Sequence, residues 1–237
     1  MKIYAYCLKE GIEALPEATR GINGAGVRLF PTENFSVLVS DFAGDALPSN
    51  RDDALVHGAV VRSVLDQTTP LPFRFGTVVT EDQLRSYVTA RLDALHAKFA
   101  KIRGRVEMNV RIISDHNVTE EVVAQVAEKP GTSFLLQKRR EITGSEARAA
   151  EAKNVSVWLE GVVGQFVREK EFKTNVTNQL ILTEAHLVER GAVEAYRLRL
   201  KEARSERPEL KFLVSGPWPP YSFANIDLEF RNQFGVS

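Results

Sequence analysis

Cysteine is nearly missing from this chain: Cys7 is the single thiol in 237 residues. One thiol excludes an internal disulfide and suggests a reducing compartment. Cys7 lies in the apolar run Ile3 to Leu8 and reads as a small buried hydrophobe. Net charge is missing too, because 31 basic residues balance 31 acidic ones. No global field then draws the chain onto nucleic acid or acidic lipid. Weak repulsion between copies suits a protein that works in assemblies. No apolar run approaches the roughly 20 residues that cross a bilayer. Lys9-Glu10 comes too early for the apolar core of a leader, so secretion is not expected. The glycosylation patterns at Asn34, Asn117, Asn154 and Asn175 are therefore chance matches.

Catalytic signatures are equally scarce. The sequence has no Walker loop and no Gly-x-Ser-x-Gly elbow. His57, His96, His116 and His186 are scattered, with no His-x-x-His, Cys-x-x-Cys or Glu-x-x-His spacing to argue for a metal. Gly21, Gly24 and Gly26 stand in the wrong order for a dinucleotide fingerprint and read as turns. Asp53 and His57 lie one helical turn apart and could pair, most simply as a hydrogen bond on a helix face. Asp52-Asp53 and Glu120-Glu121 fall in first helical turns, where carboxylates favour the dipole. No cofactor and no metal site is expected, and an interaction role gains weight over catalysis.

What is present is a clear alternation of strands and helices. Residues 2–8 read as a buried strand, and Val27–Phe30 with Phe35–Val39 as a hairpin. Asn50 with Asp53 opens a helix whose apolar face runs from Ala54 to Leu65. Leu71–Val79 is strand-like. Thr80 and Gln83 form a capping box, and Leu84, Val88, Leu92, Leu95, Phe99 and Ile102 trace one helix ending at Gly104. Val106, Met108, Val110 and Ile112 alternate with Arg105, Glu107, Asn109 and Arg111, a strand with one buried and one wet face. That wet face has no aromatic ring to stack a base, which argues against nucleic-acid binding.

Further on, Asn117 and Glu120 open a short helix that stops at Pro130-Gly131. Thr143 and Glu146 suggest a capping box for a helix to about Val167 that turns Val155, Trp158, Val162 and Phe166 inward. Glu169–Thr174 reads as an edge strand and Gln179–Val188 as a stronger one. Gly191–Ser205 is a helix with Val193, Tyr196, Leu200 and Ala203 inward, and Leu210, Phe212 and Val214 mark a last strand. From Arg105 the order is strand, helices, strand, strand, helix, strand, the split βαβ plan of ferredoxin-like domains with a helical insertion. The expected class is α+β in two domains, a mixed N-terminal domain over 1–103 and a ferredoxin-like domain over 104–224. A short tail, 225–237, carries Phe230 and Phe234 as further contact candidates.

Two runs stand out. Gly216-Pro-Trp-Pro-Pro-Tyr-Ser-Phe223 holds three rings on backbone that cannot be helix interior or central strand. Leu71-Pro-Phe-Arg-Phe-Gly76 sets an arginine between two phenylalanines on opposite sides of an extended chain. In one reading Phe73 and Phe75 are core and Arg74 ties the two halves together; in the other, Arg74 belongs to a docking surface. Trp218 likewise either locks the last strand in place or, with Tyr221, offers rigid anchors to a partner.

With His57 upstream and the Gly104-Arg-Val-Glu-Met108 block between them, these runs resemble the gas vesicle proteins GvpF and GvpL. The blocks occur in order across nearly the whole chain, although the first ~50 residues match only as a pattern of short apolar strands. Asn109 stands where a smaller residue is expected, and the resemblance does not separate the two subtypes. It implies a cytoplasmic accessory or minor structural protein of gas vesicles, the gas-filled protein shells that give aquatic microbes buoyancy. It further implies contact with the hydrophobic shell protein GvpA and with other accessory proteins, help in nucleation, and residence on the gas-facing side of the shell. No enzymatic activity, cofactor, membrane or small-molecule substrate follows from it. The partner-binding residues expected are Phe73, Arg74, Phe75, Trp218, Tyr221 and Phe223. The rival is a small-molecule enzyme on the ferredoxin-like scaffold, which a deep pocket of ionisable groups near His57, Arg74 and Glu107 would favour. A general chaperone unrelated to vesicles is the third reading.

Overall fold

The structure is a computed structural model that describes residues 2–11, 19–114, 133–172, 180–224 and 226. It is an α+β chain with two sheets, divided into two compact units. One unit comprises Met1–Glu107 together with Trp218–Ser237, the other Met108–Pro217. By compactness, then, the segment from Trp218 counts with the first unit, whereas the sequence pattern groups residues up to 224 with the second.

The first unit is built on β1, Lys2–Glu10. Its residues Ile3 to Leu8 are all fully buried, as an unbroken apolar run requires when both faces of a strand are covered. β2 (Val27–Pro31) and β3 (Phe35–Phe42) form the expected hairpin, closed by a Thr32 N–H to Phe35 carbonyl bond of 2.9 Å. The sheet runs β2-β3-β1-β4, with β4 being Leu71–Pro72; β5 (Val78–Thr80) also pairs with β1. These pairings are antiparallel.

Two expectations change here. The strand foreseen over Leu71–Val79 is two short strands, because the chain leaves the sheet between them around Gly76 at φ +87°, a conformation suited to glycine. The single helix foreseen from Thr80 to Gly104 is two, α2 (Glu81–Ala90) and α3 (Leu92–Ile102). Arg91, at φ −123° and ψ 21°, bonds back three residues to Val88 and so interrupts the ladder. The ends match the sequence reading. Thr80 and Gln83 make both capping-box bonds, and Gly104 adopts φ +70° just past α3. α1 (Arg51–Leu65) is capped by Asn50, whose side chain accepts the Asp53 N–H at 2.8 Å. Val60, Val61 and Val64 of α1 join Tyr4, Tyr6, Cys7, Ile22, Leu38 and Phe42 in one core cluster.

The second sheet is ordered β7-β8-β6-β9: Val167–Phe172, Leu180–Glu189, Arg105–Ser114 and Leu210–Trp218. The βαβ unit of β6, α4 (Ser133–Val163) and β7 is split by β8. The unit of β8, α5 (Val193–Glu206) and β9 is split in the same way by β6. This interleaving is the ferredoxin-like plan. α4 starts ten residues before Thr143, which lies inside it, since a Thr-x-x-Glu pattern caps only where the backbone actually turns. It ends at Val163, and a 3-10 turn at Gly164–Phe166 leads into β7. The helix foreseen over Asn117–Pro130 and the contact candidates Phe230 and Phe234 lie outside the described residues.

The inward set of α5 is as expected, with Val193, Tyr196, Leu200 and Ala203 buried. β9 runs on past Val214 to Trp218 and so includes Pro217. An edge strand tolerates proline because its missing N–H was not needed for pairing. Arginines of α5 bind carbonyls of this strand, Arg197 at Gly216 (2.6 Å) and Arg204 at Phe212 (2.9 Å). No described helix is long and apolar enough to cross a membrane.

Candidate functional site

His57, the Leu71–Gly76 block, Glu107 and the segment from Trp218 lie together in the first unit. α1 presents His57 to the sheet, where it is 3 % exposed. It does not pair with Asp53, which is held at the helix cap by Asn50. Its Nδ1 lies 2.9 Å from the Tyr4 hydroxyl, which also accepts the Gly76 N–H at 3.0 Å. One arrangement satisfies Tyr4: its O–H donates to Nδ1, leaving the proton of His57 on Nε2. Nε2 has no partner of normal hydrogen-bond geometry, and the Phe73 carbonyl beside it only partly offsets burial. Burial pushes the imidazole down to about 4, so it is neutral at physiological pH. Tyr6 accepts the Ile22 N–H at 2.8 Å and shares a bond with Ser40 at 2.9 Å. Burial raises both phenols. The Gly21 turn packs hard on this group, since a Cβ there would sit 2.1 Å from the Tyr6 hydroxyl.

The Leu71–Gly76 block wraps the cluster. Phe73 is fully buried, and its N–H bonds the Tyr6 carbonyl at 2.9 Å. Phe75 is half-buried with its ring against His57, edge to face at 5.9 Å. Arg74 is exposed and makes no ion pair among the described residues.

The Trp218–Ala224 segment forms a strap on the same unit. It ends in α6, the single helical turn Tyr221–Ala224, which packs beside β4. Pro219, Pro220, Phe223 and Ala224 are buried, Trp218 is half-buried and Tyr221 is 40 % exposed. The Arg62 guanidinium of α1 lies 5.0 Å from the Trp218 ring centre. From α3, Lys98 donates to the Ala224 carbonyl at 3.4 Å and Lys101 sits 5.9 Å from the Phe223 ring centre.

Glu107 of the Gly104–Met108 block holds the strap most directly. Its two carboxylate oxygens accept the Ser222 N–H at 2.7 Å and the Ser222 hydroxyl at 2.9 Å. Strand alternation assigned Glu107 to the wet face, yet it is 3 % exposed. The six expected contact residues therefore divide three ways. Phe73 and Phe223 pack inside, Phe75 and Trp218 are partly accessible, and Arg74 and Tyr221 are more exposed, although burial near Cys7 and Tyr4 raises the Tyr221 phenol above its ordinary value. Sequence reasoning missed the roles of Tyr4, Tyr6 and Glu107. The available signal was two tyrosines two apart in an otherwise apolar strand, whose hydroxyls must find partners once buried.

The second unit holds a separate polar cluster. His186 bridges Glu184 through Nε2 (2.8 Å) and Tyr196 through Nδ1 (2.8 Å), and Ser156 donates to the other oxygen of Glu184. Glu184 and His186 are each 2 % exposed at the side chain. Burial alone would raise the Glu184 carboxyl, but the bonds from His186 and Ser156 together with nearby Lys170 outweigh it and hold the group below its ordinary range. A cavity of about 160 Å³ adjoins the pair, lined also by Glu160, Arg168 and Lys170. No group of three or more His, Cys, Asp or Glu able to hold a metal occurs among the described residues.

Fold and site place the chain among α+β proteins that carry an antiparallel-sheet unit and a split βαβ unit. It belongs to the gas vesicle synthesis protein GvpL/GvpF family, which matches residues 2–225. Gas vesicle protein L of a Streptomyces species is 29 % identical over 251 residues, spanning 94 % of this chain and 92 % of that one. Gas vesicle protein F2 of Halobacterium salinarum is 24 % identical over 236 residues, spanning 95 % and 93 %. The crystal structure of GvpF from Anabaena sp. PCC7120 superposes with a TM-score of 0.78 at 19 % identity, covering 95 % of this chain and 96 % of that one. GvpF from Microcystis aeruginosa gives 0.76 at 19 % identity, with 95 % and 99 % covered. These two show a shared fold.

Proposed function

We propose that this chain is a non-enzymatic accessory or minor structural protein that binds the hydrophobic shell protein GvpA and assists nucleation and assembly of gas vesicles. A shell protein with one face destined for gas carries apolar surface that associates at random in water. A binder for it needs rigid apolar groups that lose little entropy on docking. The observation that carries the reading is Tyr221, a ring 40 % exposed with its phenol partly sheltered, on a strap whose flanking residues Pro219, Pro220, Phe223 and Ala224 are buried. Trp218, on the same strap, adds a partly accessible indole, and Arg74 is a further contact candidate. The protein works in the cytoplasm and resides on the gas-facing surface of the shell. Against the enzyme alternative, His57 is buried with its Nδ1 bonded to Tyr4, and both oxygens of Glu107 are taken up by Ser222.

The test is co-expression with GvpA and recovery through a tag on this chain. Tyr221→Ala should cut the GvpA retained by at least about tenfold, the size expected of an anchor residue, while thermal stability stays within a few degrees. GvpA recovered undiminished from Tyr221→Ala and from Trp218→Ala would remove the strap from the contact.

A further inference from the structure

We infer that Glu107 is the positioning residue of the strap's aromatic surface; this rests on the binding reading above. Glu107 contributes no surface of its own, being 3 % exposed. Both of its carboxylate oxygens go to one residue 115 positions away, one to the backbone N–H and one to the hydroxyl of Ser222. A two-point grip on main chain and side chain fixes both the position and the rotation of that residue. Tyr221 is its immediate neighbour, so the grip also fixes the direction in which the partly exposed ring leaves the backbone. Charge-assisted bonds of this kind are about twice as strong as neutral ones.

Other groups also touch the strap. Lys98 meets the Ala224 carbonyl at 3.4 Å, and Arg62 and Lys101 face rings at 5.0 Å and 5.9 Å. Those contacts fix where the segment lies, while Glu107 sets its register. Three sequence blocks therefore act as one device: β4 packs beside α6, Glu107 grips Ser222, and the strap presents Tyr221. The partner that fits is the apolar face of a shell-forming protein, because a preset ring loses less conformational freedom on docking than a free one.

Three variants test this in co-expression with GvpA, and deuterium exchange of residues 218–224 is read beside GvpA retention. Glu107→Ala should raise exchange in the strap and lower retention by about tenfold, the scale of losing one preorganised anchor. Glu107→Gln should restore most of that loss. Its carbonyl can accept the Ser222 N–H and its amide can donate to the hydroxyl oxygen. Ser222→Ala keeps the backbone grip and should give an intermediate loss, and it decides the matter if Glu107→Ala does not fold. Normal retention in Glu107→Ala with a loosened strap, or in Ser222→Ala where Glu107→Ala fails to fold, overturns the inference. So does equal loss in Glu107→Ala and Glu107→Gln, since the carboxylate would then act through its charge. Tyr221→Ala separates the two claims. If it abolishes retention while the Glu107 variants do not, only the positioning role falls. If it has no effect, the binding surface itself is elsewhere.

Discussion

Acid should loosen the first unit through one side chain, His57. An imidazole in the unfolded chain takes up a proton near its ordinary value of 6.5, while burial beside Tyr4 holds the folded one at about 4. The folded state therefore binds fewer protons between these values. The stability that His57 contributes is complete above the unfolded value and is lost as pH falls from 6.5 toward 4. The gap of about 2.5 in pH corresponds to about 3 kcal/mol at full extent, of which about 2 kcal/mol is lost by pH 5. Glu10, paired with Arg103, and Glu184 have lowered values and act mainly below the ordinary carboxylate value of 4.5, so these two carboxylates contribute little between pH 7 and 5.

The chain's two tryptophans make the measurement selective, since Trp158 lies in the second unit and Trp218 in the first. In a Trp158→Phe background, urea unfolding followed by Trp218 emission should show that loss of about 2 kcal/mol between pH 7 and 5. His57→Gln, which keeps a polar partner for Tyr4 but does not titrate, should flatten the dependence. An unchanged slope in His57→Gln would refute the assignment of the imidazole as a buried neutral group.

Gly21→Ala should destabilise the first unit by about 1–3 kcal/mol, because the added methyl meets the Tyr6 hydroxyl at 2.1 Å. Tyr6→Phe in the same chain should recover part of that loss, and thermal unfolding measures both. In the second unit, Glu184→Ala removes one side of a buried pair and should cost about 3–5 kcal/mol. Trp158 emission in a Trp218→Phe background reads that change, and a loss under about 1 kcal/mol would show the pair to be better hydrated than its 2 % exposure implies.

Much of the scaffold was legible because its signals are local. The apolar run of β1, the Thr80–Gln83 capping box and the inward set of α5 are each written within a dozen residues. The strand and helix order from Arg105 onward likewise gave the split βαβ plan. Local patterns erred where the backbone changed course without changing composition. Arg91 sits inside an unbroken helical periodicity, and Thr143 offers a cap to a helix that had already begun. Alternation along β6 put Glu107 outside because periodicity cannot see a partner 115 residues away. The rings were found but not sorted. Phe73 and Tyr221 look alike as aromatic residues among prolines, and only packing distinguishes the buried one from the exposed one.

The first unit is discontinuous along the chain, which sets an order on its birth at the ribosome. Met1–Glu107 emerges early, but Ser222 arrives only after the second unit has been synthesised. Until then Glu107 has no Ser222 to grip, and β4 waits for the turn that packs beside it. The Ser222 grip on Glu107 can form only once the second unit has been made, and residues 1–107 expressed alone would lack it.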